Sequence, residues 1–511
     1  MTDVPSPRRT VYVAAGAVSI AGADRTHRAV AVEGSTITWT GSPEDAPPDA
    51  DVVDLGGAWL LPGFVDAHVH ATATGLQATG VDLRGARSAA DVVAAVRAHV
   101  AHDDHRVVHG SGWDDHGWAD GPPTAAALAD AAPGCTVVLT RVDGHSVLVD
   151  AGTLAGLDLR GHEGHVHRGP DGLPSGLLSE GAAAAAQAIV PARLSPGQLD
   201  AARRRACGRA LAVGITTIHE MGVPGLSERA DAVAWATGPW PLTVHAYWAA
   251  PPCDVDLDPD GVLLPGGDLF LDGSIGSCTA ATSQPYRTDD GGTGDGELLV
   301  DDDDLRGLFT AATARGIGVG VHAIGDRAVA QALRVLGRVA DDLGVDAVRA
   351  ARHRIEHVEV ISRRQVAAMA HLGVVASVQP AFDATWNGPD GLYEHRFGRR
   401  AADRTNPFAW FADAGVALCL SSDSPVTPLD PWGGVLAAER HAGGLSIDRL
   451  AALRAATVGG HHAVRADDRV GALAPGQRAD IVAWPGDPLV EDPSGWTPVA
   501  VISRGILRAI E

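Results

Sequence analysis

Three hydrophobic patterns follow one another along the 511-residue chain. Near the start, TVYVAAGAVSIAG and RAVAVEGSTITWTG are β-branched, broken by glycine and without a helical period. Near the end, RVGALAPGQRADIVAWPGD and VAVISRGILRAI read the same way. Such runs predict short strands. Two strand-rich ends around a large middle predict one small β-sandwich built from residues 1–59 and 468–511. In the middle, apolar runs of strand length alternate with Ala-rich helical stretches, the α/β pattern. Eight of these runs turn polar at or near their C-terminal ends: 60–70, 214–222, 241–248, 268–274, 318–326, 354–360, 373–380 and 417–425. Helices with Asp-led or Asp-rich starts are predicted at 301–315 and 326–343. Eight parallel strands with helical crossovers close into a (β/α)8 TIM-like barrel, expected over 60–105 and 205–467, with its active face at the strand C-termini.

Residues 106–204 are far too long for an ordinary strand-to-helix connection. They carry their own strand patterns, VVHGSGWDD and CTVVLTRVDGHSVLV, and an Ala-rich helix near 180–189. This segment is expected to be an inserted subdomain that covers the mouth of the barrel.

Composition narrows the function. A net charge of −23 argues against a nucleic-acid partner, because phosphate backbones select basic surfaces. No apolar stretch is long enough to span a bilayer, so no membrane partner is expected. The weakly apolar run after Arg8 and Arg9 reads as a first strand rather than a secretion signal. The cysteines (Cys135, Cys207, Cys253, Cys278 and Cys419) are odd in number, scattered and without a CxxC pair. That argues against a disulfide framework and for a reducing, cytoplasmic location. The expected partner is a small-molecule substrate, and self-association into a homo-oligomer is left open. The chain contains no lysine.

His68 and His70 stand two apart at the end of a strand, so both rings project from the same face. Two imidazoles on the inner face of a barrel make half of a metal site.

The context of that pair, PGFVDAHVH, resembles the amidohydrolase superfamily, and most closely its type 3 branch, which includes the N-substituted formamide deformylases. The resemblance spans nearly the whole chain through GSGWDD, RVDGHS, LFLDGSIGS, VHAIGDRAV, RHRIEHVEV, ASVQP, SSDSPV and PGQRADIVAW. It implies metal ligands from the first, fourth, fifth, sixth and eighth barrel strands: His68 and His70, then His322, His357 and Asp423. Each of these lies where an apolar strand turns polar, and imidazole with carboxylate suits a divalent ion such as zinc. One departure matters. Many members bridge two ions with a carboxylated lysine on strand four, where this chain reads DLFLDGS with Asp268 in the lysine's position. Because an Asp is much shorter, one ion is expected rather than two. If a bridge forms, the candidates are Asp268, Asp272 and Glu220. Glu220 is the preferred one, with support of a ligand histidine as its other role.

The resemblance further implies hydrolysis of a non-peptide C–N bond, in an amide, N-formyl or related group, by metal-activated water. Asp423 is expected to shuttle the proton. His357 is expected as a ligand or, with one ion, as the electrophile facing the carbonyl. Substrate selection is expected from Trp113, Asp114, His145 and Glu180 of the insertion and from Ser274 and Cys278 after strand four, with Cys278 not acting as a nucleophile. Trp386 and Trp410 are expected to pack in the core. The competing readings are hydrolytic deamination of a heterocycle and a metal-free binding relative.

Overall fold

The run 60–70 is two strands in two different layers. In the computed structural model, which describes residues 9–20, 27–102, 107–249, 261–288 and 291–509, Trp59–Pro62 pairs antiparallel with Ile481–Trp484. Phe64–Val69 pairs parallel with Ile215–Gly222. Arg8 and Cys253 lie outside the described residues. Gly63 makes the crossing, and a Cβ there would sit 2.1 Å from Thr216 Oγ1.

The terminal segments form two sheets. One orders the strands Thr36–Gly41, Ala29–Glu33, Arg9–Val13 and Asp51–Asp54. The other joins Gly16–Ala17 and Trp59–Pro62 to Ile481–Trp484, Ala500–Ser503 and Ile506–Arg508. Side chains from both sheets, among them Tyr12, Val32, Ile37, Leu60, Ile481 and Ile502, share one buried cluster.

The barrel strands follow in order: Phe64–Val69, Ile215–Gly222 and Thr243–Trp248, then Gly320–Ala323, Arg354–His357, Val375–Val378 and Leu418–Leu420. All neighbouring pairs are parallel. The expected fourth strand, 268–274, is not a regular strand. Its backbone fills the place through a pair of bonds to strand five, His322 N–H to Leu269 O at 2.9 Å and Leu271 N–H to His322 O at 3.0 Å. The barrel closes through Asp423 N–H to His68 O and His70 N–H to Ser424 O, both 2.9 Å. The helix Asp326–Leu343 buries Val329, Ala332, Leu336 and Val339 at helical spacing against the main core. Asp301 caps the helix Asp302–Ala314 by accepting the N–H groups of Asp303 and Asp304.

A six-stranded sheet lies between the first and second barrel strands. It orders Val166–Arg168, Pro174–Ser179, Ser146–Val149, Thr136–Arg141, Val107–Trp113 and Val81–Asp82. The expected boundary at 106 therefore falls inside this layer. Val81 and Leu83, with Val92 and Val96 of the helix Ala89–His102, pack with Val108 and Leu139 in one cluster. At the other end, the helix Pro196–Ala212 lies against Ala71–Gln77, where a Cβ on Gly75 would meet Ala202 O at 1.9 Å.

Candidate metal centre

Barrel closure brings His68, His70, Asp268, His322, His357 and Asp423 together, all buried. Asp423 Oδ1 lies 3.4 Å from both His68 Nε2 and His70 Nε2. Asp268 faces all four histidines. Its Oδ1 is 3.0 Å from His322 Nδ1, 3.5 Å from His357 Nε2 and 3.8 Å from His68 Nε2, and its Oδ2 is 3.4 Å from His70 Nε2. One ion was expected because an Asp is shorter than a modified lysine; here the Asp268 carboxylate lies within 3.8 Å of all four rings. The chain at 268 runs close beside strand five, so a short side chain suffices.

Strand alternation alone does not aim every ligand. His357 has φ 72°, Val358 φ 52° and Asp423 φ 54°, left-handed values that are costly for these residue types and that collect at functional sites. The turn at His357 brings its ring to the inner face next to Glu356, which alternation already points inward.

Hydrogen bonds on the far side of each ring select the nitrogen that faces the centre. His68 Nδ1–H donates to Glu356 Oε2 at 2.9 Å, His70 Nδ1–H to Met221 O at 2.9 Å, and His357 Nδ1–H to Gln379 Oε1 at 2.9 Å. Each leaves its Nε2 facing inward. His322 is reversed, with Nε2 3.4 Å from Gly273 O and Nδ1 toward Asp268. Arg354 supports this shell. It is buried and donates to Glu356 Oε2 at 2.8 Å, to Ala67 O at 2.6 Å and to Ser377 Oγ at 2.7 Å. Arg354, Glu356, Gln379 and Met221 were not singled out from sequence, although the period-two spacing of Arg354 and Glu356 in RIEH carried the signal.

The electrostatics are those of a crowded ligand set. Burial pushes the Asp268 carboxyl up, but the surrounding histidines, His68 first, hold it well below the usual carboxylate range. Asp423 is lowered in the same way by His68 and His70 against its own burial. Burial and the adjacent His357 push His322 down to about 4. His357 is moved against its burial, by Asp268 and Asp423, up to about 9.

The other candidate bridges serve the scaffold. Asp272 accepts backbone N–H groups from Ala281, Ile324 and Gly325, which ties the strand-four segment to strand five and occupies both oxygens. Glu220 Oε2 accepts the Ala71 N–H at 2.6 Å, behind His70. Burial pushes its carboxyl up to about 8.

Two cavities open from the centre. A larger one, about 140 Å³, is bounded by His70, Asp268, His322, His357 and Asp423 and runs out between Ala71–Gln77 and the inserted sheet. A smaller one, about 30 Å³, reaches Ser274, Glu359, Phe382, Trp386 and Tyr393. His145 lines both. Its Nδ1 is 3.2 Å from Glu180 Oε2 and its ring stacks on Phe270 at 5.0 Å. Ser274 Oγ–H donates to Asp143 at 2.9 Å. Four expected substrate contacts are placed otherwise, among them Glu180, which lines neither cavity and is paired with His145. Trp113 is fully buried in the inserted layer with Nε1–H on Leu139 O, because its strand turns it into that layer's own core. Asp114 is held 2.6 Å from the Arg141 guanidinium. Cys278, at φ 61°, lines neither cavity. Trp386 walls the smaller cavity, whereas Trp410 does not reach the centre.

Converging histidines and carboxylates at the C-terminal end of a parallel eight-membered barrel define the class of metal-dependent hydrolases. The chain belongs to the amidohydrolase family, whose model matches residues 51–506. Protein LONG AFTER FAR-RED 3 of Arabidopsis thaliana is 29% identical over 467 residues, 84% of this chain and 78% of the relative. The N-substituted formamide deformylase of Arthrobacter pascens is 25% identical over 501 residues, 90% of each chain. The solved structure of an uncharacterized metal-dependent hydrolase from Pyrococcus horikoshii OT3 shares the fold, with a TM-score of 0.76 and 24% identity over 96% of this chain and 99% of that one. No helix among the described residues is long and apolar enough to cross a membrane.

Proposed function

We propose that the protein hydrolyses a C–N bond other than a peptide bond, in an amide, N-formyl or related carbonyl compound. One observation carries the metal dependence of this reading. His68 Nε2, His357 Nε2 and Asp423 Oδ1 are buried polar atoms with no hydrogen-bond partner, and they belong to two groups of possible ligands that share His68: His68, His70 and Asp423, and His68, Asp268 and His357. Most buried polar groups in proteins are paired, so three unpaired ligand atoms gathered within these histidine–carboxylate groups fit a divalent cation, with zinc suited to the imidazole-rich set. His70 and His322 complete the nitrogen donors.

The two oxygens of Asp268 face different partners, Oδ2 toward His70 and Oδ1 toward His322 and His357. This supports Asp268 as a residue that would help to hold divalent metal, with room for two ions in place of the single ion expected from its length. A divalent ion bound here supplies a water that ionises near neutral pH and polarises the scissile carbonyl. The Asp423 carboxylate, held at the centre through Oδ1, would accept the proton of the attacking water and return it to the leaving nitrogen. Glu356, Met221 O and Gln379 hold the rings in place. The inserted layer and the cavity walls keep bulk water from the reacting groups.

The test is a panel of N-alkyl and N-aryl formamides and acetamides with metal-stripped and zinc-reconstituted protein. Release of amine and carboxylate by the reconstituted protein alone is the expected result. Full turnover without metal, or ammonia released from heterocyclic amines with no amide cleavage, would overturn the reading.

A further inference from the structure

The charge inventory of the larger cavity limits what enters it. Its wall is formed by Leu76, Val138, Val142, Val190, Leu226 and Phe270. Arg141 is the one arginine among the described lining residues, and the chain has no lysine. That guanidinium donates to Asp114 at 2.6 Å, Asp115 at 3.0 Å and Asp143 at 3.0 Å, so three of its five N–H donors are engaged and its single positive charge is already outweighed by three carboxylates. Asp231, the acidic lining residue remote from the centre, is paired with Arg203 at 2.5 Å. His145 is paired with Glu180. A carboxylate carried into this cavity would lose its hydration and find no uncommitted cation, at a cost that apolar walls cannot offset.

The volumes set the size. About 140 Å³ is close to an apolar cavity known to admit benzene, whereas about 30 Å³ on the other side of the centre holds little more than one or two water-sized groups. Resting on the hydrolase reading above, we propose that the substrate is uncharged and asymmetric. One substituent of the scissile group is apolar, aryl-sized or a similar alkyl chain, and lies along Val138, Leu226 and Phe270. The substituent on the other side is compact. Substrates with a carboxylate on the large group, such as N-acyl amino acids, are rejected.

Metal-chelating hydroxamates test this without turnover. Binding of acetohydroxamate, longer alkyl hydroxamates and a phenylalkyl hydroxamate to the zinc-reconstituted protein is measured by calorimetry, beside the same chains ending in a carboxylate. Affinity should rise about three- to four-fold per buried methylene until the cavity is full. The terminal carboxylate should weaken binding at least ten-fold. Leu226→Trp should lower affinity for the phenylalkyl compound at least ten-fold, with folding of the variant checked separately by circular dichroism and zinc content. A flat series, or equal or tighter binding of the carboxylate-ended chains, overturns the proposal. Graded hydroxamate binding without cleavage of any amide would overturn the hydrolase reading and leave this one standing.

Discussion

Asp268 meets His322 across the gap between neighbouring barrel positions, Oδ1 to Nδ1 at 3.0 Å. The same carboxylate lies within 3.8 Å of the three other histidines of the centre. In this chain that contact leads to the first prediction. Wild type should take up two zinc ions in bicarbonate-free buffer and Asp268→Ala at least one fewer, read by elemental analysis. Asp268→Lys should regain the second ion only when bicarbonate is supplied. An alanine variant with the wild-type metal count would remove Asp268 from the ligand set.

Asp423 tests the proton path. Asp423→Asn keeps its size and one acceptor oxygen but removes the base. Turnover should fall by roughly 10²–10⁴, the usual contribution of general acid–base catalysis. Metal content should change much less, because four histidines remain. A near-normal kcat with metal retained would assign the proton to another group.

Glu356 acts through His68. Its Oε2 takes the His68 Nδ1–H at 2.9 Å while the buried Arg354 holds the same carboxylate. Glu356→Gln should weaken zinc binding by roughly 10–100-fold in chelator competition. It should also destabilise the metal-free fold by about 3–5 kcal/mol, since Arg354 is left without its counter-charge. Adding Arg354→Met should restore part of the stability and none of the metal affinity. Recovery of both would mean that Glu356 matters only for packing.

Glu220 gives a pH signature. Burial first, then the Asp231 charge, raises its carboxyl to about 8 from an ordinary 4.5. A carboxyl raised in the fold binds its proton more tightly there than in the unfolded chain. Its stabilisation is therefore fully present below the ordinary value and is lost as pH rises through about 8. Glu220→Gln keeps an acceptor for the Ala71 N–H and does not titrate. In chelated protein, the Tm of the variant relative to wild type should climb steadily between about pH 5 and pH 9. A pH-independent difference would show that Glu220 is not the group responsible.

Much of the centre was legible because it is local. The i, i+2 spacing puts His68 and His70 on one face of one strand, and the change from apolar to polar marks where His322, His357 and Asp423 end theirs. The absence of lysine excludes a carboxylated-lysine bridge from composition alone. Trp113 was less legible, since VVHGSGWDD reads as a strand but its polar end pointed to substrate contact rather than to burial. Only the inserted sheet, whose first strand Val81–Asp82 lies well upstream, supplies the core that buries it.

The sequence by itself thus determined the barrel, the strand-terminated ends and the residues able to hold a metal, because periodicity and side-chain type act within one element. Tertiary structure decided which of three carboxylates faces the histidines. Asp268, Asp272 and Glu220 have the same ligand chemistry, and two of them lie within one five-residue stretch. Barrel closure sets Asp268 against strand five, spends both oxygens of Asp272 on backbone N–H groups and turns Glu220 to the start of the helix Ala71–Gln77. Those outcomes depend on distances between strands, which register and closure fix and which no spacing along a single strand contains.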